Sequence, residues 1–273
     1  MLHPMRLRPT APRRSTVRLP WRWAAGGSAV GIMTALVVFA PASWLAQAIA
    51  QASHGQVQLH EARGSVWQGS AQLVLTGGRG STDAVRLPGS VQWKVGLRAD
   101  GLQVALQAPC CTFEPIGVRV QWLRWNGLMV SVADHQSRWP ADLLTGLGTP
   151  WNTVQVRGQL SAASQGLQWR WEPGRQHLQG ALSLDAINLT SRLSTLTPMG
   201  SYRLTLTGGE SPNLQLQTLS GSLQLEGQGQ WVDQRLRFTG VASAAPDRVE
   251  ALSNLLNIVG RRDGARSLIT LGS

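Results

Sequence analysis

A mainly β protein is predicted: a single N-terminal transmembrane helix, then a large, curved antiparallel β-sheet domain with a C-terminal helix. Three observations predict it. No Lys, Arg, Asp or Glu occurs from Trp23 to His60, period-two alternation of apolar and polar residues dominates the chain beyond that stretch, and the one strong helical pattern comes late, after Pro246. The 273 residues are enough to bury a sizeable core. With 42% hydrophobic and 14% charged residues, the chain is sparsely charged rather than disordered.

The first 22 residues read as a basic cytoplasmic tail. Six arginines (Arg6, Arg8, Arg13, Arg14, Arg18, Arg22) precede the first acid, Glu61. Residues 23–42 read as the transmembrane anchor, flanked by Trp21 and Trp23 on one side and Trp44 on the other. A helix from Trp23 to Trp44 would cover about 31 Å, the thickness of a bilayer core. Arginines before the span and none just after it place the N-terminus in the cytoplasm, with residues 43–273 as a periplasmic β-rich domain. A cleaved signal peptide is the competing reading, with small-residue sites at Ala46-Gln47-Ala48 and Ala48-Ile49-Ala50. The apolar run exceeds the usual signal core of about 7–15 residues, which favours the anchor.

Alternation then sets the strands. In Ser90 to Arg98, Val91, Trp93, Val95 and Leu97 share one face and Gln92, Lys94 and Arg98 the other. Asp100-Gly101 marks a hairpin turn, after which Leu102, Val104 and Leu106 alternate with Gln103 and Gln107. The same grammar recurs in Gly117 to Trp122, Val154 to Leu160, Gly166 to Trp171, Leu178 to Leu184, Asn213 to Leu219, Gly221 to Gln230 and Arg235 to Val241. Leu73-Val74-Leu75-Thr76-Gly77-Gly78 is echoed by Leu204-Thr205-Leu206-Thr207-Gly208-Gly209, one strand-into-turn unit used twice. An apolar face opposite a Gln- and Arg-rich one is the pattern of antiparallel sheet. About a dozen strands in one sheet must curl, fold over or be covered, and a sandwich and an open groove both satisfy that. Ala141 to Leu147, ended by Gly148, reads as a short helix. Pro246-Asp247-Arg248-Val249-Glu250 opens a better one, with Val249, Leu252, Leu256 and Val259 at helical spacing and Gly260 closing it. A last strand spans Ser267 to Leu271.

Chemistry is hard to place on this chain. There is no Gly-x-Ser-x-Gly elbow, and Lys94 has no phosphate-binding glycine loop before it. His60-Glu61 lacks the second histidine of a zincin, since Gly64 stands there, and the five histidines are scattered. No catalytic residue, metal ligand or cofactor-binding residue is nominated. The formal charge of +11 is carried largely by the tail, and the later arginines are dispersed, which argues against nucleic acid. Cys110 and Cys111 are adjacent. In an oxidising compartment they can close a vicinal disulfide, whose small ring is strained and easily reduced; the alternative is two buried small residues at a strand end. The pairs Trp122/Trp125 and Trp169/Trp171 could stack sugars or line a lipid groove, but they read better as filling one β core.

One stretch resists a purely local explanation: Gly64-Ser65-Val66-Trp67-Gln68-Gly69, with a large indole between two glycines. Locally it reads as architecture. Gly64 and Gly69 permit a bulge or a close backbone approach, and Trp67 supplies a buried anchor that pins the first strand. Together with Gly148-Thr149-Pro150-Trp151-Asn152-Thr153, the following Gly158-Gln159-Leu160, and the terminal Leu255-Leu256-Asn257-Ile258-Val259-Gly260-Arg261-Arg262-Asp263-Gly264, it resembles protein N of the bacterial type II (general) secretion pathway. The motifs lie near the start, middle and end, so Gly64, Trp67, Gly69, Pro150, Gly158, Gly260 and Gly264 are the structural residues the resemblance marks.

The resemblance implies a non-enzymatic accessory component of the secretion machine that exports folded proteins across the outer membrane, sited in the inner membrane with most of its chain in the periplasm. It implies other secretion components as partners and no cofactor. The alternative, from another class, is an AsmA-like envelope protein whose apolar β groove handles lipid. A periplasmic hydrolase would need convergent titratable residues in a cleft.

Overall fold

Pro41 interrupts the apolar run with which the described chain begins. The computed structural model describes residues 21–78, 80–124, 126–232 and 235–272. Helix α1 (Trp21–Val38) is 18 residues long and belongs to a unit that ends at Ala40. Pro41 is extended at φ −71° and ψ 150°, and the chain restarts as α2 (Ala42–Ala52). A proline lacks the amide a continuing helix needs and pushes the residue before it out of helical geometry. The expected anchor over residues 23–42 is thereby corrected. What remains of the run is a helix diluted by Gly26, Gly27, Gly31, Ser28 and Thr34, and no described helix is long and apolar enough to cross a membrane. The single-pass inner-membrane placement with a cytoplasmic N-terminus is not supported. Residues 1–20 of the expected tail lie outside the described residues.

The unit beginning at Pro41 is mainly β, as expected. After α2 come β1 (Val57–Gly64), β2 (Gln68–Thr76), β3 (Ala84–Arg86), β4 (Val91–Arg98), β5 (Gly101–Gln107), β6 (Ile116–Leu123), β7 (Gly127–Val132) and β8 (His135–Pro140). A 3-10 turn at Ala141–Leu147 and the one-turn α3 (Trp151–Val154) separate these from β9 (Arg157–Glu172) and β10 (Arg175–Thr190). Then come β11 (Gly200–Gly209), β12 (Asn213–Gly221), β13 (Leu223–Val232) and β14 (Arg235–Ala244). A 3-10 turn at Pro246–Arg248 leads into α4 (Val249–Val259), and β15 (Arg261–Asp263) and β16 (Arg266–Leu271) close the described chain.

All the strands join one antiparallel sheet in nearly sequential order, from β1 at one edge to β15 at the other, with β3 on β2 and β8 on β9. The curved sheet expected from the strand count is corrected too. The path is open, and no pairing returns β15 or β16 to β1. Hairpin connections lay most strands beside their predecessors, so the ladder grows nearly linearly.

The register separates the two faces as the alternation requires. Leu97, Leu102, Val120, Val130 and Trp169 are cross-strand neighbours in one row, and Gly96, Gln103, Arg119, Ser131 and Gln168 form the adjoining row of the opposite face. The apolar side is covered in patches. Beside α2, Ala42, Ala71 and Trp93 form one buried cluster with Leu45 and Leu59 against it. Leu87, Ala108, Cys111 and Leu143 form a second. The largest gathers Leu160, Met199, Tyr202, Leu223 and Ala242 under Leu252, Leu255 and Leu256 of α4. Those three leucines are at most 2% exposed, and each contributes about 1.5–3 kcal/mol by burial. Within this cluster, burial pushes the Tyr202 phenol up in pKa, and its hydroxyl donates to the Leu223 carbonyl at 3.1 Å.

Candidate functional site

The turn between β1 and β2 is built on an indole, though not the one inside the motif. Trp67 is half-buried, whereas Trp93 of β4 is 5% exposed. Gly69 lies directly opposite Trp93 in the ladder, and a Cβ on Gly69 would stand 2.5 Å from both Trp93 Cζ2 and the Arg63 carbonyl oxygen. Glycine is required there by close approach. Gly64 is required by conformation, since its φ of +90° lies in the left-handed region. Trp93 Nε1–H donates to the Ser65 and Val66 carbonyls at 3.2 and 3.1 Å, and the Trp67 carbonyl accepts from Val95 N at 2.6 Å. The turn is thus seated on β4 by three hydrogen bonds and one ring.

The middle motif lies where β8 passes to β9. Pro150 precedes α3, and Asn152 Nδ2 donates to the Asp83 carboxylate at 2.8 Å, tying α3 to the segment before β3. Gly158, at φ +141°, lies against the Ile187 carbonyl of β10. The last motif runs from α4 into the β15–β16 hairpin. Gly260 abuts Leu268, Gly264 forms the turn, and Arg262 Nε donates to the Gly264 carbonyl at 2.7 Å. Ser267 Oγ donates to the Leu256 carbonyl at 2.6 Å, which fixes the helix on the hairpin. The seven motif residues do not converge. They occupy three separate joints of one sheet.

Cys110 and Cys111 are joined as a disulfide in the turn after β5. They line an open recess of about 510 Å³ together with Phe113, Arg138, Trp139 and Gly158. The Arg138 guanidinium stands 5.4 Å from the centroid of the Phe113 ring. A larger recess of about 790 Å³ spans β12, β13, β14 and β16, with Leu216, Val241 and Ile269 in its walls beside Gln215, Glu226 and Gln228.

Among the described residues, one recess of about 440 Å³ brings Glu114, Asp134, His135 and Ser164 together. Ser164 Oγ lies 2.7 Å from His135 Nδ1, but this hydroxyl also donates to the Ala133 carbonyl at 3.0 Å and the serine is 2% exposed. A hydroxyl whose proton is committed to a carbonyl, with its oxygen walled in, is not a presented nucleophile. Asp185 and Arg203 pair across β10 and β11 at 2.6 and 2.7 Å, and the hydrogen-bonded guanidinium holds the carboxyl below its ordinary pKa. Among the described residues no cluster of three or more His, Cys, Asp or Glu could hold a metal ion.

The tryptophans expected in the core are not there. Trp122 is 59% exposed, and Trp169 and Trp171 are exposed as well; Trp125 lies outside the described residues. Trp122, Leu128 and Trp171 form one row, so the indoles sit on the apolar face of the sheet, out of reach of α2 and α4.

A family model described as type II secretion system (T2SS), protein N, matches residues 55–269, from just before β1 almost to the end of β16. The chain belongs to the type II secretion protein N family. The match embraces all three motif regions, and with it nearly the whole sheet. Neither a curated protein nor a solved structure matches the chain. Membership supports a role for the chain in the type II secretion system. As a family member, it takes other components of that system as its partners.

Proposed function

We propose that this chain is an accessory component that supports the export of folded proteins across the outer membrane, acting by binding and not by chemistry. The observation that carries the reading is the family match over residues 55–269. The geometry is consistent with it: the motif residues hold joints of a broad sheet, and in the recess that brings Glu114, Asp134, His135 and Ser164 together the serine is buried and its hydroxyl is bonded to the Ala133 carbonyl. A sheet with a Gln- and Arg-bearing face offers a wide, weakly charged surface for other subunits.

The test is the distribution of exoproteins between periplasm and medium in a deletion strain and its complemented counterpart. Deletion should leave folded exoproteins in the periplasm, with translocation across the inner membrane unchanged. Substitution of His135 or Asp142 in the complementing gene should have little effect, whereas Trp93→Ala should reduce export in step with protein abundance. Unchanged secretion accompanied by altered outer-membrane lipid composition would overturn the reading in favour of lipid handling.

A further inference from the structure

The Cys110–Cys111 bridge is not what holds its turn together. Cys111 N and Thr112 N both donate to the Ala108 carbonyl at 2.8 Å, and Arg138 N donates to the Cys111 carbonyl at 2.7 Å. Thr112 Oγ1 bonds Ala108 in both directions, accepting from its N at 3.0 Å and donating to its O at 3.1 Å. Thr112 also makes a β-bridge to Ser137 of β8. A bridge between neighbours closes almost no loop, and the stabilisation of a fold by cross-linking is smallest for the shortest loops. Linkage makes this reciprocal. Because the bridge adds little to the fold, the fold does little to protect the bridge from reduction.

The two sulfurs are unequally placed. Cys110 is exposed, while Cys111 is 6% exposed and packs with Leu87, Ala108 and Leu143. The recess they line carries one charged residue, Arg138. A thiolate entering the recess toward the exposed Cys110 therefore meets a cation. Exposure, a cationic wall and a bridge the fold does not need make an exchange site, where a structural disulfide would be buried and would close a long loop.

We propose that Cys110–Cys111 is a thiol–disulfide exchange site for a dithiol reductant. One thiolate of the reductant attacks Cys110 Sγ, the Cys110–Cys111 bond breaks, and its electron pair leaves on Cys111 Sγ. The second thiolate of the reductant attacks the mixed disulfide at the reductant's own sulfur and releases Cys110. Two electrons pass to the protein, both cysteine sulfurs take up protons, and the reductant leaves as its disulfide. The backbone bonds of Ala108, Thr112 and Arg138 persist in both states, so reduction alters the floor of the recess and leaves the sheet intact.

The full chain is equilibrated with graded ratios of reduced to oxidised dithiothreitol, quenched with N-ethylmaleimide and weighed, natively and again in guanidinium. The native and unfolded midpoints should agree within about tenfold in that ratio. The reduced protein should also keep its strand signal and melting temperature. A larger gap, or loss of strand signal on reduction, would overturn the proposal. In a second measurement, Cys111→Ser should react with N-ethylmaleimide at least about tenfold faster than Cys110→Ser, because only Cys110 is presented. Equal rates would refute Cys110 as the sulfur attacked.

Discussion

Removing the Trp93 ring should destabilise the β unit by about 3–5 kcal/mol, because Trp93→Ala deletes a buried aromatic side chain and leaves a cavity. It would also strand the Ser65 and Val66 carbonyls that its Nε1 now satisfies. Trp67→Ala, at a half-buried site, should cost at most about 2 kcal/mol. Gly69→Ala should fall between them at about 1–3 kcal/mol, since its new methyl must displace either the ring or the Arg63 backbone. Urea denaturation of the three variants gives the ranking, and a Trp67→Ala effect equal to that of Trp93→Ala would refute it. The motif locates this joint but names the wrong indole. Glycine spacing around Trp67 is local and visible in sequence. The pairing of Gly69 with Trp93 depends on register across 24 residues, which no local pattern encodes. Exposure of Trp122, Trp169 and Trp171 is equally illegible, because an apolar strand face reads the same whether a helix covers it or not.

Elements are legible where periodicity is unbroken. The strand expected over Ser90 to Arg98 is β4, its hairpin turns at Ala99-Asp100, one residue before the expected Asp100-Gly101, and the helix expected from Pro246 begins at Val249 after a 3-10 turn. Where a glycine interrupts the pattern, one element reads as two. Gly166 has the look of a boundary between strands, yet β9 runs unbroken for 16 residues, with Gly166 at φ +56° and Gly180 of β10 at φ +84° beside the register shift between the strands. A bulge and a turn use the same residue, and only the partner strand distinguishes them. For α4, Leu256→Ala should cost about 2–5 kcal/mol, measured by thermal or urea unfolding, because the leucine is fully buried in the largest cluster. Between β10 and β11, the depressed pKa of Asp185 works in one direction only. A carboxyl with a lower pKa folded than unfolded adds stability above about pH 4, and that stability is lost as pH falls through the folded value. Asp185→Asn should therefore cost about 1 kcal/mol or less near neutrality, given the half-exposed Arg203, and its difference from the parent should vanish as pH is lowered below about 4. A difference independent of pH would assign the pair a purely hydrogen-bonding role.

At the scale of the whole β unit, one strand carries the continuity of the sheet. Along one edge β9 pairs with β7 near its end and with β8 near its start, and along the other it pairs throughout with β10. The strands before it and those after it meet only there. Trp139 makes a parallel connection in the core. Opposite Leu160 in the ladder, it packs against both the cluster around Leu143 and the cluster under α4, and its Nε1–H donates to Ser137 Oγ at 2.9 Å. Two clusters joined by one ring, one strand and the 3-10 turn that gives Ala141 and Leu144 to one and Leu143 to the other should unfold together, so the intact protein is expected to show a single transition by circular dichroism and by tryptophan fluorescence. Trp139→Ala removes the shared ring and leaves every ladder in place; because the ring is partly buried but packs on two clusters, it should cost about 2–3 kcal/mol. The two probes should then part, since most tryptophans lie before Val156 or in β9, while strand signal comes from both halves. Ala162→Pro attacks the other connection. Ala162 lies opposite Ser137 on one side and Leu184 on the other, so a proline there must break ladder bonding in mid-sheet and should cost at least about 3 kcal/mol. If both variants still unfold in one coincident transition, the 3-10 turn at Ala141–Leu147 suffices to couple the halves.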